Sequence, residues 1–130
     1  MSAPETRIVV SAAVIERDAR YLVTRRLAGT HLEGYWEFPG GKCQADEAGP
    51  DCLVREIEEE LGCAVSVGDK LLAVTHEYPQ RIVELHFYRC ALLGEPRSVL
   101  GQEIRWVQRT ELRSLDFPPA DEELIQMLAG

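Results

Sequence analysis

The sequence has little of what marks several protein classes. Its four cysteines include no C-x-x-C pair and no histidine at ligand spacing, so a zinc site is not expected. The early apolar run 8–15 is interrupted by Ser11 and has no basic leader, and no segment approaches the ~20 apolar residues of a membrane span. Acidic residues outnumber basic ones, 22 to 14, which disfavours nucleic-acid polymers and anionic membranes as partners. A G-x4-G-K-[S/T] phosphate loop is also absent.

What is present indicates an ordinary folded domain. A chain of 130 residues with 45% hydrophobic and 28% charged residues predicts one domain spanning 1–130. We expect the cysteines to be reduced and mostly buried as small apolar residues. We also expect a cytoplasmic location, and the sequence leaves open whether the protein is a monomer or a homodimer.

Hydrophobic periodicity predicts a mixture of hairpins and helices, which favours a mixed sheet packed by helices. The expected elements are a hairpin of 7–16 and 21–24, a short strand at 35–38 stopped by Pro39-Gly40-Gly41, a helix over 47–61, a hairpin of 65–76 and 81–93, a strand at 104–107 and a helix over 121–128.

The predicted central helix carries most of the excess negative charge. Residues 46–60 have a net charge of −6, against +1 for 1–45 and −3 for 61–130. Its apolar residues recur every four positions, and Glu56, Glu59 and Glu60 fall within an arc of about 100° beside that stripe. Such carboxylates repel one another unless a cation lies between them, and oxygen ligands suit Mg²⁺ or Mn²⁺. A solvated acidic face is the alternative interpretation.

The residues around this helix form a recognisable pattern. Gly41, Glu47, Arg55-Glu56-Ile57, Glu59-Glu60 and Gly62-Cys63 are spaced as G-x5-E-x7-R-E-U-x-E-E-x-G-U, where U is aliphatic. This pattern resembles the Nudix box, with Cys63 as a small apolar substitute at the last position. The resemblance implies an α/β/α sandwich around a mixed sheet. Arg55 lies four residues from both Asp51 and Glu59, and its planar fork can orient carboxylates.

Outside the box, the chain resembles the MutT-like branch of the Nudix hydrolases over nearly its whole length. The matching segments are Thr24-Arg25-Arg26, His31, 36–42, Tyr78-Pro79-x-Arg81 and 117–120. The resemblance implies Mg²⁺-dependent hydrolysis of a nucleoside triphosphate to the monophosphate and pyrophosphate, with Mn²⁺ as a substitute.

The same resemblance assigns roles to individual residues. It makes Gly40, through its carbonyl, and Glu56, Glu59 and Glu60 the expected metal ligands. Arg55, Glu56 and Glu59 are the expected catalytic residues, with Glu56 the best candidate to orient or deprotonate the attacking water. A covalent nucleophile is not needed, and nothing near Cys52 in sequence would activate that thiol.

Five side chains besides Asp121 are expected substrate contacts. Arg26 would lie near the phosphates, Phe38 and Tyr78 near the base, and Arg81 at the base or sugar. Four of them have an ordinary alternative: Arg26 as a solvated strand end, His31 as loop surface instead of the rim of the site, and the two aromatic residues as core.

Asp121 bears on which base is bound. The MutT pattern has asparagine after Pro-Pro-Ala, which can both donate to and accept from an oxidised guanine, whereas an ionised aspartate only accepts and suits the amine of cytosine. Burial could keep Asp121 protonated and restore a donor. Alternatively, Asp121 only caps the last helix. The aspartate thus favours (d)CTP or 5-methyl-dCTP, whereas the overall resemblance to MutT-like enzymes favours 8-oxo-dGTP. We expect 8-oxo-dGTP, with the cytosine nucleotides as the alternative.

A second departure concerns a loop glutamate that MutT-like enzymes often supply before the last strand. This chain has Leu100-Gly101-Gln102-Glu103 there, and Leu100 cannot bind a metal. Glu103 or a water molecule could take its place. Two rival functions remain open: a Nudix hydrolase of another nucleoside diphosphate derivative, and a Nudix-fold binding module, which would be expected to lack glutamates of the box.

Overall fold

The chain folds around a mixed β-sheet. The computed structural model describes residues 6–130, and residues 1–5 of the predicted domain lie outside this description. Over the described residues the strands are β1 (Thr6–Arg17), β2 (Arg20–Arg25), β3 (Trp36–Glu37), β4 (Gly40–Lys42), β5 (Val65–Tyr78), β6 (Arg81–Leu92) and β7 (Ile104–Gln108). Their order is β3-β2-β1-β6-β5, with β4 paired to β1 and β7 paired to β2. Only the β1–β6 pair among the described strands is parallel, so the prediction of a mixed sheet is confirmed.

Two α-helices, α1 (Gly49–Leu61) and α2 (Glu122–Ala129), cover opposite faces of this sheet. Ala12 and Val14 of β1 belong to the apolar cluster that includes α2, whereas Ala13 and Ile15 belong to the cluster that includes α1. Alternate residues of a strand point to opposite faces, so β1 joins both layers of the predicted α/β/α sandwich. The helix residues in these clusters are Leu124, Ile125 and Leu128 on α2 and Leu53, Ile57 and Leu61 on α1.

Helix α1 begins two residues later than predicted and ends where predicted. Pro50 occupies its first turn, where the missing N–H costs nothing. Gly62 ends it with a left-handed φ of 64°, and its N–H donates to the Glu58 carbonyl at 3.0 Å. The described helices include none that is long and apolar enough to cross a membrane.

Both predicted hairpins form, and the first closes through Asp18 and Ala19. These residues have φ values of 53° and 62°, as expected for the two-residue turn that suits twisted strands. The short strand predicted at 35–38 ends at Glu37, before Pro39, as expected. The strand that follows, β4, was not predicted, and it pairs Gly41 with Ser11 of β1. Short 3₁₀ segments at Arg109–Ser114 and Pro119–Asp121 were also not predicted.

The expectation of four reduced thiols is wrong for one pair. Cys43 and Cys52 form a disulfide, whereas Cys63 and Cys90 are free and buried. Burial raises the pKa of both free thiols, that of Cys90 to about 12, which leaves them poorly reactive.

Candidate active site

The acidic face of α1 lies against the Gly40–Gly41 backbone of β4. The Gly40 N–H donates to Glu60 Oε2 at 3.0 Å. At Gly41 a side chain would overlap the Glu56 carboxylate, so this glycine lets the strand approach the helix closely. The third carboxylate, Glu59, extends outward and is 57% exposed.

Arg55 connects the carboxylates and the strand. Its Nη1 donates to Glu56 Oε1 at 3.0 Å and to Glu59 Oε1 at 3.2 Å. Its Nε and Nη2 each donate to Glu47 at 2.8 Å, and Nη2 also donates to the Lys42 carbonyl at 3.1 Å. The sequence spacing suggested Asp51 as a carboxylate partner of Arg55. In the structure, Glu47 in the loop before the helix binds the guanidinium instead.

The electrostatics of these carboxylates differ according to their surroundings. Pairing with Arg55 lowers the pKa of Glu47 to about 2. Burial, together with the neighbouring Glu37, Glu56 and Glu59, raises the pKa of Glu60 to about 8. The pKa of Glu56 is also raised, mainly by burial and against the effect of Arg55. Two carboxylates that disfavour their charged form therefore lie on one helix face, where a cation would stabilise both.

The donor chemistry of this face fits a hard divalent cation, since carboxylate oxygens and the nearby Gly40 backbone supply only oxygen ligands. The three helix carboxylates do not converge into a tight cluster. In the part of the chain that the structure describes, the one group of three or more metal-ligating side chains whose ligand atoms lie within 4.8 Å of one another is Cys43, Glu47 and Cys52, and its two sulfurs form the disulfide. Arg55 and the Gly40 N–H instead hold the helix carboxylates.

A pocket of about 280 Å³ opens beside Gly40 and Glu60. Its wall also contains Glu37, which the sequence interpretation missed. Four predicted substrate contacts line the same pocket: Arg26, Phe38, Tyr78 and Asp121. Metal candidates and substrate candidates that are far apart in sequence therefore share one cavity.

Arg26 is fixed by two partners at the pocket wall. Its Nη1 donates to Glu37 Oε2 at 2.8 Å, and its Nε donates to the His31 carbonyl. Burial raises the pKa of Glu37, although Arg26 opposes the shift. Arg26 is thus an ion-paired residue of the pocket rather than a freely solvated strand end.

The aromatic candidates differ in exposure. Phe38 is 4% exposed and stacks on Phe117 with ring centroids 5.3 Å apart, so it is a core residue with one edge in the pocket. Tyr78 is half-buried and lies beneath the Arg81 guanidinium, 5.6 Å from the ring centroid. The structure does not bring His31 and Arg81 into the pocket beside Glu60. They line an adjoining cleft of about 670 Å³ that shares Tyr78 with it.

Asp121 faces the pocket although it precedes α2. It occupies the position before the helix, yet its side chain makes no capping hydrogen bond, and it is only 5% exposed. Burial, followed by repulsion from Glu37, raises its pKa to about 7. The capping alternative is therefore wrong, and Asp121 is a buried acid whose charge state changes near neutral pH.

The segment before β7 closes the end of α1. Leu100 is exposed, and the Glu103 carboxylate is ion-paired with Arg25 and Arg105. Gln102 was not predicted to matter, yet its buried Nε2 donates to the Glu60 carbonyl at 3.0 Å. The Gln102 side chain thereby satisfies a carbonyl of the last helical turn and holds the backbone that carries Glu60.

Comparison with known proteins agrees with this geometry. The NUDIX domain family matches residues 10–127, so the chain belongs to the Nudix family. It is a hydrolase of the MutT-like type. The chain is 36% identical over 120 residues to the CTP pyrophosphohydrolase of Escherichia coli, covering 92% of this chain and 89% of the relative. It is 37% identical over 123 residues to the 8-oxo-dGTP diphosphatase of Haemophilus influenzae, covering 93% and 90%.

A solved structure has the same architecture. The solution structure of the Escherichia coli ORF135 protein superposes with a TM-score of 0.84 at 35% identity, covering 94% of this chain and 88% of the other. The fold and the enzyme class predicted from the sequence are thereby confirmed. Nudix hydrolases generally use divalent metal ions, which agrees with the oxygen-rich face of α1.

Proposed function

We propose that this protein hydrolyses a nucleoside triphosphate to the monophosphate and pyrophosphate, with 8-oxo-dGTP as its preferred substrate. One observation carries the proposal: Glu60 of the acidic helix and Asp121, about sixty residues later, line the same pocket. A pocket lined by a candidate metal ligand, Glu60, and by a buried hydrogen-bonding group, Asp121, suits a phosphate chain and a base.

We propose Mg²⁺ as the metal, with Mn²⁺ as a substitute. Glu56, Glu59, Glu60 and the Gly40 carbonyl would hold it. When bound, the metal neutralises charge on phosphate oxygens and lowers the pKa of bound water, as in other phosphoryl-transfer sites.

The chain's own residues supply orientation and proton transfer. Arg55 holds the Glu56 and Glu59 carboxylates in place through its hydrogen bonds, and Glu47 in turn fixes Arg55. Glu56, whose raised pKa makes it a better base than an ordinary carboxylate, would accept the proton of the attacking water. Arg26 lies on the wall of the same pocket, where it would contact the phosphates.

The base would be bound between Phe38, Tyr78 and Asp121. With a pKa of about 7, Asp121 keeps its proton below neutral pH and can then donate as well as accept, like the asparagine of the MutT pattern. Above neutral pH it only accepts, which suits the amine of cytosine. His31 and Arg81, in the adjoining cleft, would contact the sugar or the outer edge of the base.

The test is a substrate panel with product identification. Purified protein with Mg²⁺ is incubated with 8-oxo-dGTP, dGTP, dCTP, 5-methyl-dCTP and ADP-ribose, and the products are separated by chromatography. We expect monophosphate and pyrophosphate, fastest from 8-oxo-dGTP. A preference for a cytosine nucleotide would establish the (d)CTP alternative. Cleavage of ADP-ribose alone would replace the proposal with a hydrolase of another nucleoside diphosphate derivative.

Asp121→Asn tests base selection. In the wild type, we expect the ratio of kcat/KM for 8-oxo-dGTP over dCTP to fall by about tenfold between pH 6 and 8.5, as one hydrogen-bond donor is lost. The variant, whose amide donates at every pH, should show a flat and purine-favouring ratio. If the kcat/KM ratio had the same pH profile in the two proteins, Asp121 would not take part in base recognition.

The same variant offers a readout that needs no substrate. The folded protein keeps the Asp121 proton up to a pKa of about 7, whereas the unfolded chain releases it near the ordinary value of 3.8. This residue therefore lowers stability as pH rises from about 4 to 7. The melting temperature of Asp121→Asn minus that of the wild type should therefore be larger at pH 8 than at pH 4.

Three further features complete the proposal. We propose that the chain acts as one Nudix domain, supported by the family match over 10–127. We propose small nucleotides as its only substrates, with no nucleic-acid polymer or membrane as partner, supported by the net charge of −8. We also propose a cytoplasmic location and a monomeric or homodimeric state.

A further inference from the structure

Two cysteines lie where the β4 strand and the acidic helix come together. The Cα atoms of Cys43 and Cys52 are 5.2 Å apart, in the range that a disulfide bridges without backbone movement. The two residues are nine positions apart in sequence. The function proposed above uses neither of them.

Each cysteine is attached to a different half of the candidate active site. Cys52 is fully buried on α1, one turn before Glu56. Cys43 directly follows β4, whose Gly40 N–H binds Glu60 and whose Lys42 carbonyl accepts from Arg55. A bond between the two sulfurs therefore links the strand to the helix.

The segment closed by this bond carries Glu47. This carboxylate makes two 2.8 Å contacts with Arg55, which in turn holds Glu56 and Glu59. Since the Glu47 loop is fastened by the disulfide at one end and enters α1 at the other, the sulfur bond restricts the loop that positions Arg55.

Cys43 is the most accessible of the four cysteines. Cys43 is only half-buried, and its Sγ lies 3.3 Å from Ser11 Oγ, whose hydroxyl donates to the Gly49 carbonyl at 3.2 Å. Cys63 and Cys90 are buried with raised pKa values. A small oxidant can thus reach Cys43, and Cys52 lies next to it as the resolving thiol.

We propose that Cys43 and Cys52 form a thiol–disulfide switch that tightens the metal-binding half of the active site on oxidation. A low-molecular-weight disulfide is the oxidant. The Cys43 thiolate attacks one of its sulfurs, forming a mixed disulfide and releasing one thiol. The Cys52 thiolate then attacks the Cys43 sulfur and releases the second thiol. Two protein thiols lose two electrons in total, and the small disulfide is reduced to two thiols.

The direction of the effect follows from chain entropy. Closing the short loop removes conformations from the unfolded chain and from the opened Glu47 loop, so the oxidised form is more stable and its carboxylates are better preorganised. In a reducing compartment the pair opens, and it closes again when oxidant rises.

The test compares two forms of the wild-type protein. One sample is reduced with a phosphine and desalted, and the other is oxidised with glutathione disulfide. Thiol counting under denaturing conditions should find four thiols in the first and two in the second. The oxidised form should melt about 5–10 °C higher. It should also bind Mn²⁺ roughly threefold or more tightly by calorimetry.

The controls separate a switch from a passive cross-link. In the double variant Cys43→Ser/Cys52→Ser, the reduced and oxidised samples should have the same melting temperature and the same Mn²⁺ affinity. In Cys63→Ser, oxidation should raise both quantities as it does in the wild type. The switch is wrong if glutathione disulfide leaves four thiols, if melting is unchanged, or if melting rises while Mn²⁺ affinity stays the same. The Mn²⁺ readout rests on the proposed function, whereas the melting temperature and the thiol count do not. The proposed function and the switch can therefore fail separately.

Discussion

Glu56→Gln is expected to reduce kcat by about 10³-fold or more on the preferred triphosphate. The amide keeps the shape of the side chain but can neither accept the proton of water nor offer a charged oxygen to a cation. Folding should be preserved, because the carboxylate has a raised pKa and loses little by becoming neutral. Release of pyrophosphate under saturating Mg²⁺ measures the effect, and thermal melting checks the fold.

Glu58→Gln is the matched control for this change. Glu58 lies on the same helix and loses the same charge, but its side chain is exposed. We expect its kcat to stay within about twofold of the wild type, because a solvated charge on a helix has little effect. If both variants lost activity equally, the helix charge as a whole would matter rather than Glu56, and the role proposed for Glu56 would be wrong.

Gly40→Ala is expected to lower the free energy of unfolding by about 3 kcal/mol or more. A Cβ atom at Gly40 would overlap the Ser11 carbonyl oxygen and lie 2.7 Å from Ala12 Cα. Both neighbours are backbone atoms of central strand β1, so they cannot turn aside as a flexible side chain could. Urea unfolding followed by circular dichroism gives the difference directly.

Gly29→Ala separates this steric effect from the general cost of replacing a glycine. Gly29 has a φ of 82°, but a Cβ there would meet no atom within 4 Å. Only the left-handed backbone is then penalised, by about 1–2 kcal/mol. Equal losses in the two variants would mean that β4 moves away from β1 at little cost, against the close pairing described above.

Local patterns were enough to predict most of the elements. The four-residue apolar period and Gly62 predicted α1, and runs of β-branched and apolar residues on either side of polar turns predicted both hairpins. β4 was missed because Gly-Gly-Lys has no strand pattern of its own. It is a strand because β1 supplies hydrogen-bonding partners, and this kind of tertiary effect is not visible in a short window of sequence.

The candidate site was also predicted from local patterns only in part. Fixed helical spacing placed Glu56, Glu59 and Glu60 on one face of α1. By contrast, the contacts of Gln102 with Glu60 and of Asp121 with the pocket depend on chain crossings over some forty and sixty residues. The Cys43–Cys52 bond was missed because a nine-residue separation says nothing about how a loop folds back on a helix.

The parallel pairing of β1 with β6 affects how the protein is made. Val10 pairs with Leu85 and Ile15 with Cys90, so the strand that bridges both layers finds its parallel neighbour only after some ninety residues have been synthesised. On the ribosome, β1 and β2 emerge early as a hairpin that carries an unpaired, strongly apolar edge. This edge stays open to pairing with other chains until β6 has been synthesised. Slow translation before residue 90 would therefore increase the risk of aggregation.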